Sequence, residues 1–177
     1  MTHTIDALRD LAGVGRAELR LEEVDMSALG HQIVDELRAL QPGREVQFES
    51  GPAVTAVGDM TLLRLLLTNL LQNSWKYTGP SDRPRIQLGV ESGESEVLTY
   101  YVQDNGIGFD NDQRERIFEV FERLHAAADF VGSGLGLATV DRIVRRHGGR
   151  VWAESLPGKG ATVHFTLAPP STDLQHS

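Results

Sequence analysis

The sequence predicts an α+β fold: a two-layer α/β sandwich whose mixed, mostly antiparallel sheet is covered on one face by about three helices. Two observations carry this. Pairs of short alternating apolar–polar segments are joined by glycine-rich turns, as in antiparallel hairpins. Between them lie stretches with apolar residues at helical spacing, so strands and helices are interleaved.

The elements follow in order. Ile5, Leu8, Leu11, Ala12, Leu19 and Leu21 recur at helical spacing across residues 5–21, interrupted by Gly13 and Gly15. Such a helix is marginal alone in water; it reads either as a frayed terminal helix or as the end of a longer helix that pairs in a bundle. A short strand is expected at 22–26, then a helix from about Ser27 to Leu40 capped by Asp25 or Ser27, with Leu29, Ile33, Leu37 and Leu40 on one face. Gln41-Pro42-Gly43 stops it. Strands are expected at 45–49 and around Val54–Val57, separated by Gly51-Pro52. Gly58-Asp59 then caps the most apolar helix of the chain, 60–77, which Thr78-Gly79-Pro80-Ser81 ends. A hairpin at 84–91 and 96–103 follows, then a glycine-rich stretch, a helix at about 135–147 stopped by His147-Gly148-Gly149, and a last hairpin turning at Leu156–Gly160.

Composition narrows the function classes. The chain of 177 residues is 40% hydrophobic and 24% charged, with net charge −8 and no basic patch, which argues against a nucleic-acid or acidic-membrane partner. There is no cysteine, hence neither disulfide nor thiolate metal site. The longest apolar run, Leu62–Leu71, is broken by Arg64, Thr68 and Asn69 and falls short of the ~20 residues a bilayer span needs. A cytoplasmic setting is expected.

Three clusters carry chemistry. On the helix at 60–77, Asn69, Asn73 and Tyr77 are spaced i, i+4, i+8 with Lys76 beside them, opposite the apolar Leu63, Leu66, Leu67 and Leu70. This stripe is either a solvated face or a ligand face. Mg²⁺ often takes one or two protein oxygens and completes its shell with phosphate and water, so one amide oxygen with a lysine nearby suffices. Next, Asp104-Asn105-Gly106-Ile107-Gly108 closes an apolar strand. An ionised aspartate only accepts hydrogen bonds and could read the exocyclic amine of adenine; glycines let backbone approach a flat ligand. Finally, Gly132-Ser133-Gly134-Leu135-Gly136-Leu137 opens a helix, where successive N–H groups suit phosphate. It follows a polar loop without a βαβ unit, which excludes a dinucleotide fingerprint. Each cluster alone is weak.

Their order and spacing are specific. Asn69–Thr78, Asp104–Gly108, Ile117–Phe121 and Gly132–Leu137 closely resemble the asparagine box, first glycine box, phenylalanine box and second glycine box of the catalytic ATP-binding domain of bacterial sensor histidine kinases. That domain belongs to a fold group shared with gyrase, heat-shock chaperone and mismatch-repair ATPases. Trp75 and the string Phe121–His125 look most like the phytochrome-type kinases. The resemblance covers about residues 22–168. It implies ATP and Mg²⁺ as ligands, with Asn73 on the metal, Asn69 near the phosphates, Lys76 on phosphate and Tyr77 packed by the nucleotide. Asp104 would bind the adenine amine, Gly106 and Gly108 would shape the base pocket, and Gly132, Ser133, Gly134, Leu135 and Gly136 would cradle phosphates. Residues 122–133 would form a lid based on Phe118 and Phe121, with Arg123 facing lid or phosphates, or simply solvent. Ser74 stands where alanine is common in the family, a change expected to matter little.

The hydrolases of the fold group carry a glutamate one turn before the magnesium asparagine. That position here is Asn69, an amide that cannot take a proton from water, which favours a kinase over an ATPase. None of His3, His31, His125, His147, His164 and His176 has the acidic, arginine and proline neighbours of a phosphoacceptor. The resemblance therefore implies residues 1–21 as the end of a dimerisation or acceptor helix or a linker, 22–168 as the catalytic domain, and 169–177 as a disordered tail. The expected activity is γ-phosphate donation to a histidine on separate dimerisation helices of the same full-length kinase, serving a response regulator indirectly. A stand-alone serine kinase of the anti-sigma-factor type and a non-catalytic nucleotide-binding docking module are the alternatives.

Overall fold

A computed structural model describes residues 18–93, 96–110, 112, 116–118 and 136–168. The expected terminal helix up to residue 17, the lid at 122–133, Phe121, Arg123, the glycine cluster from Gly132 to Leu135 and the tail at 169–177 lie outside them.

Strands β1 (Leu21–Asp25) and β3 (Thr55–Asp59) pair antiparallel as a two-stranded ribbon of their own. This departs from the single sheet expected, because the pairing joins segments distant in the chain and neither segment specifies it. Each strand ends in an aspartate that caps the helix it feeds: Asp25 accepts from the Ala28 N–H at 3.0 Å for α1 (Met26–Leu40), and Asp59 from the Leu62 N–H at 3.2 Å for α2 (Met60–Tyr77). Because the pairing is antiparallel, Asp25 lies opposite Thr55 and Asp59 opposite Leu21, so the two helices leave from opposite ends of the ribbon. The main sheet has the order β2 (Gln47–Ser50), β4 (Arg85–Ser92), β5 (Leu98–Asp104), β7 (Ala161–Thr166), β6 (Val151–Ser155). Edge strand β2 runs parallel to β4 and the other pairs are antiparallel, so the sheet is mixed and mostly antiparallel as expected.

Helices α1, α2 and α3 (Gly136–Arg146) bury their apolar stripes in one core with the sheet. Leu63, Leu66, Leu67, Leu70 and Leu71 of α2 are at most 2% exposed, and each contributes roughly 1.5–3 kcal/mol of burial. On β5 the period of two turns Tyr100, Val102 and Asp104 into this layer. Across the sheet, Trp152 stacks on His164 at 5.3 Å, with the Arg150 guanidinium 4.5 Å above the indole.

Two polar clamps fix α2 at its ends. Arg44 donates to the Trp75 carbonyl and to Thr78 Oγ1 at the C-terminus and lies over the Trp75 ring. At the N-terminus the Asp59 N–H donates to His147 Nε2 at 3.1 Å, which leaves Nδ1 to donate to the Ile143 carbonyl at 2.8 Å. His147, 7% exposed, thus ties the end of α3 to the start of α2. His31 is exposed and hydrogen-bonds Ser50.

Candidate functional site

Helix α2 continues unbroken through its polar stripe because Met60–Tyr77 contains neither glycine nor proline. Its leucines fix the rotation about the helix axis, and that rotation turns Asn69, Asn73 and Tyr77 toward β5 and α3. Between these elements lies a cavity lined by Leu70, Asn73, Ser74, Tyr77, Val102, Asp104, Gly108, Phe109, Ile117, Leu137, Ala161 and Val163. Its walls are mostly apolar with a few polar groups among them, the composition of a small-molecule site.

Asp104 is the polar anchor. It is 8% exposed and closes β5, so its carboxylate faces the cavity from a rigid strand. Oδ1 accepts from the Gly106 N–H at 2.9 Å and Oδ2 from the Ser74 hydroxyl at 3.0 Å. Burial pushes the Asp104 carboxyl above the usual carboxylate range, while the Gly106 N–H, the Ser74 hydroxyl and the Ala161 N–H pull the other way. The expectation that Ser74 matters little is therefore corrected. Its hydroxyl is 4% exposed and bonded to the central carboxylate. Sequence offered a faint signal: a hydroxyl beside Asn73 on a helix that lines a ligand face.

The loop after Asp104 is held against two neighbours. Ile107 donates its N–H to the Tyr77 carbonyl at 3.1 Å, and a Cβ on Gly106 would come within 2.4 Å of that oxygen. Gly108 adopts φ +69 under the turn after β6, where a Cβ would lie 2.3 Å from the Leu156 carbonyl oxygen. No side chain fits either position, so both glycines allow the close approach that shapes the cavity wall. Ser155 Oγ accepts the Phe109 N–H at 2.8 Å, which pins the loop to β6.

Beside the cavity, α3 begins against the two asparagines. A Cβ on Gly136 would sit 3.2 Å from Asn69 Oδ1 and 3.8 Å from Asn73 Oδ1. Asn69 spends its Nδ2 on the Leu65 carbonyl at 2.9 Å, so its oxygen faces Gly136. Helix starts carry unpaired N–H groups and partial positive charge, and two amide oxygens lie beside this one. Among the described residues no cluster of three or more His, Asp or Glu side chains could hold a metal ion. The hard amide oxygens do fit Mg²⁺ that takes its remaining ligands from phosphate and water. Lys76 is exposed and Asn69 lies outside the cavity lining. Phe118, in the 3₁₀ turn Arg116–Phe118, packs on a small cluster of Phe109, Ile117 and Ala153 beneath the cavity. Of the predicted residues, the fold thus gathers Asn73, Tyr77, Asp104 and Gly108 around one cavity, with Asn69 and Gly136 meeting beside it. Sequence reasoning did not name the walls Leu70, Val102, Phe109, Ala161 and Val163, although the burial period of β5 points to Val102.

Comparison with known proteins agrees with this geometry. Residues 58–171 match the family described as histidine kinase-, DNA gyrase B- and HSP90-like ATPase. The methanogenesis regulatory histidine kinase FilI of Methanothrix harundinacea is 38% identical over 96% of this chain and 19% of its own length. Cyanobacterial phytochrome B of a Nostoc species is 35% identical over 94% of this chain and 22% of its own length. The chain thus spans about a fifth of these curated relatives. Among solved structures, full-length ShkA in complex with AMPPNP has a TM-score of 0.75 at 27% identity, over 93% of this chain and 35% of that one. The mycobacterial sensor histidine kinase MprB has a TM-score of 0.68 at 26% identity, over 84% of this chain and 97% of that one. The chain belongs to the histidine kinase-, DNA gyrase B- and HSP90-like ATPase family.

Proposed function

We propose that this chain binds ATP·Mg²⁺ and donates the γ-phosphate to a histidine on a separate dimerisation hairpin of the same full-length kinase, in cytoplasmic two-component signalling. The observation that carries the reading is one cavity lined both by an amine-accepting carboxylate, Asp104, and by Asn73, whose amide oxygen, with that of Asn69 beside the cavity, lies near the start of α3. Such a lining suits a purine amine at Asp104 and a metal-bound phosphate near Asn73.

Each group has a part. Asp104 takes the 6-amino hydrogen of adenine, and Val102, Phe109, Leu137 and Val163 enclose the base. Gly106 and Gly108 keep the loop low against it, while Tyr77 flanks the nucleotide. Lys76 reaches phosphate from the rim. The segment Gly132, Ser133, Gly134, Leu135, Gly136 offers backbone N–H groups to the phosphates. The resemblance also assigns Phe118 and Phe121 to the base of a lid, with Arg123 facing lid or phosphates, or simply solvent. Mg²⁺, held through the Asn73 amide oxygen, supplies charge neutralisation on the phosphate oxygens. The acceptor imidazole attacks the γ-phosphorus in line as the bond to ADP breaks. Such transfer depends on alignment and charge stabilisation. Asn69, whose Nδ2 is bonded to the Leu65 carbonyl, provides no base to activate water, so ATP is kept for the acceptor.

Calorimetry tests this. Asn73→Asp and Asp104→Asn are each expected to weaken ATP·Mg²⁺ binding by tenfold or more, on the order of a lost charge-assisted or metal contact, with an unchanged far-UV spectrum. Unchanged affinity in both variants would sink the assignment.

A further inference from the structure

We propose that Ser74 is a positioning residue that sets the nucleobase preference of this site, by holding Asp104 so that it receives the 6-amino group of a purine. The inference rests on the nucleotide-binding reading above and adds a residue to it. Ser74 Oγ lies 3.0 Å from Asp104 Oδ2. Both side chains line the cavity, at 4% and 8% exposure. An ionised carboxylate has no hydrogen to give, so the hydroxyl proton is committed to Oδ2 and the Ser74 oxygen turns lone pairs outward. The Gly106 N–H holds Oδ1 at 2.9 Å. With each oxygen tied to a separate element, helix α2 and the loop after β5, rotation of the carboxylate about its last torsion is blocked. The Asp104–Ser74 pair then presents acceptors alone to the cavity. A 6-amino purine supplies the matching donor; a 6-oxo purine would set its carbonyl oxygen against those lone pairs. Sites built around such a bond discriminate strongly against ligands that lack the partner. The Ser74 bond also favours the charged, acceptor-only form of Asp104 against the effect of burial.

The test is calorimetry with three Mg²⁺ nucleotides (ATP, purine riboside triphosphate lacking the 6-amino group, and GTP) on the unchanged chain, Ser74→Ala, Ser74→Thr and Asp104→Asn. Ser74→Ala is expected to lose about tenfold in ATP affinity, the scale of one hydrogen bond to a charged group. Its affinity for purine riboside triphosphate should stay within twofold, and its preference for ATP over GTP should narrow. Ser74→Thr, which keeps the hydroxyl, should restore the ATP preference. Equal loss for ATP and the amine-free nucleotide, or no loss for either, overturns the Ser74 assignment. If Asp104→Asn loses ATP while Ser74→Ala does not, the binding reading stands and the Ser74 inference falls. If the unchanged chain binds none of the three, both fall.

Discussion

Asp104 must stay charged where burial penalises charge. Burial lifts its pKa, and the Gly106 N–H, Ser74 hydroxyl and Ala161 N–H only partly offset this. A carboxyl whose folded value is raised favours folding most when protonated, below its unfolded value of about 3.9; that contribution is lost as pH rises through the folded value. Asp104→Asn is therefore expected to melt no lower than the unchanged chain at pH 7, with any advantage gone by about pH 4. Thermal melts at the two pH values check this; a variant that melts lower at pH 7 but equally in acid would contradict it. At this scale the sequence was uneven. Asp104 could be picked out, because a carboxylate that ends an apolar strand before two glycines has few structural uses. Ser74 could not. Serine in a helix is unremarkable until folding sets it against a carboxylate that is distant in the chain.

The helices and their starts were legible, because Asp25 and Asp59 are local signals that act within three residues. Strand partners were not. LEEVD and TAVGD show which face is buried, yet nothing in either segment says that they pair with each other and leave the main sheet. The parallel pairing of β2 with β4 is equally long-range. The Asp59 cap gives a prediction at this scale. Burial pushes its carboxyl up, but the N–H groups of Arg20, Leu62 and Thr61 and the nearby His147 outweigh that and hold it below the usual range. Its contribution is present above the ordinary carboxylate value of about 3.9 and is lost as pH falls through the lowered one. Asp59→Ala should cost about 1 kcal/mol at pH 7, or a Tm drop of about 2–4 °C, with ATP affinity within twofold. The deficit should shrink in strong acid. A large loss of ATP affinity at normal stability would mean that the ribbon contributes to the site directly.

Across the whole molecule, the sheet carries Asp104 to the cavity at a strand end and α2 brings Asn73 to the same cavity, with Asn69 and Gly136 meeting beside it. The four sequence boxes made the fold class legible from their order. The lid between Phe118 and Gly136 was read from the boxes alone and falls outside the described residues. Of the described histidines, His147 is buried as a helix tie, His164 is stacked on Trp152 and His31 is bonded to Ser50 on the surface, so none lines the cavity. A donor domain of this kind should leave its phosphate on another helix pair. The measurement that tests this most directly is incubation with γ-labelled ATP and Mg²⁺, with and without the histidine-bearing hairpin of the same kinase. The account predicts acid-labile, base-stable label on the hairpin, none on this chain, and little free phosphate from the chain alone. An unlabelled hairpin, acid-stable label on another protein residue, or rapid phosphate release by the chain alone would contradict it.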